Sequence, residues 1–67
     1  MELIKIVDKQ AGISFSYDEL LVVNNIFNEV CNGIDVFEFE TRIGKSKEEV
    51  CCLLKKLGNI LDQIEND

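Results

Sequence analysis

The tetrapeptide Ser-x-x-Glu occurs twice in this chain, as Ser16-Tyr17-Asp18-Glu19 and as Ser46-Lys47-Glu48-Glu49. This is the capping box of a helix start: the serine oxygen accepts a free backbone N–H, and the glutamate reaches back to the serine's own N–H. Apolar residues follow each box at helical spacing. After the first come Leu20, Val23, Phe27 and Val30, with Ile26 and Cys31 widening the stripe. After the second come Val50, Leu53, Leu54, Leu57, Ile60, Leu61 and Ile64. Two capped amphipathic helices, about 17–32 and 47–65, therefore frame the fold. Phe15 before the first box and Leu20 after it fit a hydrophobic staple. Asn32-Gly33 reads as the first helix's end, with Gly33 as the left-handed residue and Ile34 as the apolar contact behind it. Gly58, inside the second helix, implies either a close backbone approach or a bend.

Two segments remain. Glu2–Val7 is short and β-branched, DKQAG follows, and ISFS comes next, which reads as a β-hairpin with Ile13 and Phe15 on one face. A lone hairpin is marginal in water and needs a packing partner. In DVFEFETRI the alternation of Phe37, Phe39, Thr41 and Ile43 with charged residues suits a strand, while Val36, Phe39 and Ile43 also fit a helix. Asp35 as a cap, Glu38 three residues later and Gly44 as a terminator favour a short helix 36–43. The expected fold is α+β and mostly α. It is one small domain, 1–67, with an N-terminal β-hairpin packed on a three-helix bundle of helices about 17–32, 36–43 and 47–65.

With 67 residues the chain buries only about 60% of its unfolded surface, so stability is marginal and a packing partner is welcome. MELIKIVDKQ shows no basic start leading into a long apolar run, and no stretch approaches a membrane span, so a cytoplasmic protein is expected. Cys31, Cys51 and Cys52 are an odd set with two adjacent, which suits free thiols in a reducing compartment. There is no histidine, no CxxC pair and no Gly-rich phosphate loop. No metal, cofactor or catalytic function is therefore expected.

Charge is the more informative feature. The net charge is −6, and it is unevenly placed. Between Lys9 and Arg42 stand Asp18, Glu19, Glu29, Asp35, Glu38 and Glu40 and no base. From Arg42 to Leu57 the balance is positive, through Arg42, Lys45, Lys47, Lys55 and Lys56 against Glu48 and Glu49. Several acids sit near helix starts, where the macrodipole favours them. Capping alone does not account for so long a stretch without a base. Asp18, Asn25, Asn28, Glu29, Asp35, Glu38 and Glu40 are read as one acidic, hydrogen-bonding face toward a basic partner.

TRIGKSKEEVCCLLKKL, with the residues before it from 36, resembles the helix-turn-helix family, with Gly44 at the turn and Ile43, Val50 and Leu53 at the buried apolar positions. The resemblance implies that Ser46, Lys47, Glu48, Cys51, Cys52 and Lys55 lie near a DNA groove. Two features depart from the pattern. Glu40 stands where the family has a small residue at the helix crossing, and a buried unpaired carboxylate there is costly. Glu48 and Glu49 oppose the phosphate field at the start of the reading helix.

The segment LLVVNNIFNEVCNGIDVFEFETRIG, with Asn24, Asn25, Asn28 and Asn32 close together, gives a second resemblance. With its small size and acidity, the chain resembles the small acidic immunity proteins of bacterial toxin–immunity pairs, including those of contact-dependent growth inhibition. The resemblance implies a cytoplasmic, non-enzymatic protein that binds a basic toxin domain, such as a nuclease, and blocks it. The alternatives are a helix-turn-helix DNA-binding regulator and a homo-oligomeric structural module paired through the hairpin edge or the last helix. A homodimer is thus among the expected partners, nucleic acid is disfavoured, and no membrane association is expected.

Overall fold

The computed structural model describes all of residues 1–67. It has the expected class: a two-stranded antiparallel hairpin followed by three helices. Strand β1 is Glu2–Val7 and strand β2 is Gln10–Ser14. Their loop is tighter than DKQAG suggested. Only Asp8 and Lys9 turn the chain, with φ of 51° and 63°, and Gly12 lies within β2. Two successive positive φ values give a type I′ turn, whose twist matches that of the flanking strands. Leu3 faces Ile13 and Ile6 faces Ala11 across the ladder, with a register shift between Leu3 and Lys5. The shift puts Leu3 and Ile6 on one face with Ala11 and Ile13, although they are an odd number of residues apart.

Helix α1 is Tyr17–Asn28, and both halves of the Ser16/Glu19 capping box are present. The Glu19 N–H donates to Ser16 Oγ at 3.2 Å and the Ser16 N–H to Glu19 Oε1 at 3.0 Å. The helical path continues to Gly33, but not as α-helix. Glu29–Gly33 is a wider π turn, closed by the Ile34 N–H donating to the Glu29 carbonyl at 2.8 Å. This corrects the expected end of the first helix. Gly33 does not adopt a left-handed φ, because the five-residue hydrogen bond replaces the left-handed cap. Its missing Cβ has another use. A Cβ at Gly33 would collide with the Glu29 carboxylate, so the glutamate side chain lies over the glycine.

Helix α2 is Phe39–Ile43, one turn shorter than the expected 36–43. Asp35 does not cap it. Glu38 occupies the cap position with a left-handed φ of 52° and makes no side-chain capping bond, so the chain can enter the helix only at Phe39. Gly44 closes α2 as expected, at φ 99°. Helix α3, Lys47–Glu65, begins at the intact Ser46/Glu49 box. It runs through Gly58 as one element, and nothing lies within 4 Å of where a Cβ at Gly58 would be, so neither a break nor a close approach explains the glycine.

The core is small. Only Leu20, Cys31, Val50 and Leu61 are buried, and they join α1, the π turn and α3. Tyr17 at the start of α1 is held to the end of α3 by its hydroxyl, which donates to Glu65 Oε1 at 2.8 Å. The Met1 ammonium reaches both oxygens of Glu19 at 2.6 Å, fastening the start of β1 to the first capping box. The hairpin's backbone packs chiefly on itself. Its side chains Ala11 and Ile13 share a groove with Phe15, Leu20, Leu57, Ile60 and Ile64.

A candidate protein-binding face on the first helix

Every one of the seven residues read as an acidic face is exposed. Spacing along α1 and the π turn sets three of them on one strip: Asp18, Asn25 and Glu29, separated by seven and four residues. The same strip carries Val22 and Ile26, exposed to 57% and 56%. Ile26 was expected to widen the core stripe. It faces outward instead, because α3 packs against the Leu20 side of α1 and no other element covers the opposite flank.

Asn25 and Glu29 line a shallow groove with Val22, Ile26, Val30 and Ile34. The groove is apolar along its floor and polar at its edge. Ile26 and Val30 also line a second hollow of about 280 Å³ with Phe27, Ile43, Val50 and Leu53, where Lys45 is the one charged residue. The two hollows adjoin at Ile26 and Val30 as the two halves of an apolar trough, with Glu29 lining one half and Lys45 the other. Lys45 Nζ stands 4.0 Å from Glu49 Oε2, a loose and exposed pair.

The structure does not gather all seven residues at this trough. Asp35, in the loop, Glu38, at the head of α2, and Glu40, within it, are absent from its lining. Asn28 is engaged within the helix, its Oδ1 accepting from Asn32 Nδ2 at 3.0 Å. Asn24 is half-buried, and its Oδ1 is sealed without a hydrogen-bond partner. The residues missed by sequence reasoning are the apolar ones. Val22, Ile26 and Ile34 supply the floor, and the i, i+4 pair Val22/Ile26 was the available signal.

The helix-turn-helix reading expected Ile43, Val50 and Leu53 to be buried. Only Val50 is, while Ile43 and Leu53 are each 44% exposed. The reason is the one-turn length of α2, which offers α3 too little surface to cover. Glu40 is exposed and escapes the penalty of a buried carboxylate.

The three cysteines are free thiols. Burial, reinforced by the neighbouring Cys51, pushes the Cys31 thiol above its ordinary pKa, so it packs as an uncharged apolar group. No three His, Cys, Asp or Glu side chains are grouped so as to hold a metal ion, and no helix is long and apolar enough to cross a membrane.

No protein-family model matches the chain, and neither a curated protein nor a solved structure matches it.

Proposed function

We propose that this chain is a protein-binding module of the immunity or antitoxin kind, non-enzymatic and cytoplasmic, which neutralises a basic toxin domain such as a nuclease. One observation carries the reading: an exposed apolar groove, Val22, Ile26, Val30 and Ile34, edged by Asn25 and Glu29 with Asp18 on the same strip. Protein interfaces combine an apolar centre with a polar rim, and a rim of one sign selects a partner of the other. Phosphate would find no compensation on this strip, since no base lies between Lys9 and Arg42. Asp35, Glu38 and Glu40 extend the acidic field around the strip and speed encounter without touching the groove.

The DNA-reading alternative draws less support. Its turn glycine is present at Gly44, but the helix before it is a single turn, and Glu48 and Glu49 are exposed where phosphates would approach.

The test is co-expression with the product of the adjacent gene, followed by stopped-flow association of the purified pair. The double variant Asp18→Lys, Glu29→Lys is expected to bind about ten-fold more slowly at low salt, with the difference shrinking at high salt. Replacing Val22 and Ile26 by serine is expected to speed dissociation instead. An association rate indifferent to both charge reversals removes the acidic face from the reading.

A further inference from the structure

The molecule is too open for its mass. Its accessible surface is 5560 Å², whereas a folded monomer of 7.6 kDa exposes about 4,300 Å². Its Cα radius of gyration is 13.4 Å, against about 11 Å for a compact domain of this length. It is flat, 36 × 31 × 16 Å. The excess of about 1,250 Å² exceeds the ~800 Å² that each partner contributes to a standard-size interface.

Much of this open surface lies on the hairpin. Leu3, Ile6 and Ile13 occupy one face of the ladder and are 61%, 67% and 43% exposed. That face leads, through Ala11 and Ile13, into the groove shared with Ile60 and Ile64 of α3, themselves 46% and 39% exposed. No element of the chain covers either wall. A two-stranded hairpin is marginal without an apolar surface to pack on, and here it finds only the edge of one.

The charge pattern admits a second copy at this place. The hairpin carries Glu2, Lys5, Asp8 and Lys9 and is neutral, so it meets the acidic end of α3, with Asp62, Glu65 and Asp67, without like-charge repulsion. None of the acids from Asp18 to Glu40 lines this groove; they stand on α1, the π turn, the loop after it and α2.

We propose that the chain forms a two-fold homodimer through the hairpin face Leu3, Ile6 and Ile13 and the α3 residues Ile60 and Ile64. The arrangement is isologous: the same patch on each copy covers its counterpart. It leaves the groove of Val22 and Ile26 free on both protomers, so the dimer presents two copies of the candidate binding face. The inference is independent of the proposed function.

Sedimentation equilibrium of the purified full chain, from about 1 μM to 1 mM, tests it. The expected result is a mass tending to twice 7.6 kDa. Ile6→Lys and Ile60→Lys, both at exposed positions, are expected to sediment as monomers at concentrations where the parent is dimeric, with helicity retained by circular dichroism. A parent that stays monomeric throughout overturns the proposal. So does a dimer indifferent to both substitutions, since it then forms through another face. Hydrogen exchange of the parent covers the case in which the variants lose their fold. Amides of β1 and β2 are expected to gain at least ten-fold protection between dilute and concentrated samples, and unchanged exchange overturns the proposal equally.

Discussion

Glu19 serves two partners at once. Its Oε1 accepts the Ser16 N–H that closes the capping box, and both oxygens accept from the Met1 ammonium. The ammonium first, and the Ser16 N–H next, hold its carboxyl below the ordinary carboxylate pKa. A group depressed in the folded state contributes stability above its unfolded pKa and loses it as pH falls through the folded one. The unfolded reference is 4.5, so the contribution is intact at neutral pH and fades below 4.5. At the same end of α1, Glu65 from the end of α3 raises the Tyr17 pKa, first by accepting its hydrogen bond. That contribution is intact below 10.0 and is lost as pH rises beyond it. Thermal melts of Glu19→Gln and Tyr17→Phe beside the parent check both signs. The deficit of the first is expected to narrow as pH drops below 4.5, and that of the second as pH climbs past 10. A deficit constant across pH in either variant contradicts the assignment.

Among the elements, the two boxed helices were the most legible. Ser46 and Glu49 start α3 where expected, and Ser16 and Glu19 start α1, because a capping box is local chemistry within four residues. The ends were less so. Asn32-Gly33 looked like a left-handed cap, but the chain closes a π turn there, with Cys31 buried inside it and Glu29 laid over Gly33. Asp35 is not the cap either, because Glu38 takes the left-handed position and delays α2 to Phe39. Gly58 gives this scale its prediction. Nothing stands within 4 Å of its absent Cβ, and glycine inside a helix costs about 1 kcal/mol relative to alanine. Gly58→Ala is expected to stabilise the fold by about that amount in urea denaturation. Destabilisation would mean that another chain lies against this turn of α3.

At the scale of the whole molecule, four buried residues carry the tertiary structure. A domain of this size has a net stability of only about 3–10 kcal/mol. Truncating a buried leucine costs about 2–5 kcal/mol. Leu61→Ala is therefore expected to leave the chain largely unfolded at 37 °C, read as lost helicity at 222 nm. Val22→Ala, on the exposed strip, keeps its helicity. Equal behaviour of the two variants would show that the core lies elsewhere. The same thinness of core explains why so much apolar surface is left for partners, on the α1 trough and on the hairpin.

The sequence by itself determined the hairpin, the starts of the two long helices, the Gly44 turn and the uneven placing of charge. Each follows from interactions among residues a few positions apart. The candidate face was legible in its charges, since Asp18, Asn25 and Glu29 recur at helical spacing on one strip. Its apolar floor was not. Helical periodicity tells which residues share a face, but not which face another element covers. Ile26, Ile43 and Leu53 carry the spacing of core residues and stay open because α2 has one turn and the hairpin stands to the side. Only the tertiary structure decided that, since burial depends on the length and position of elements distant in the chain.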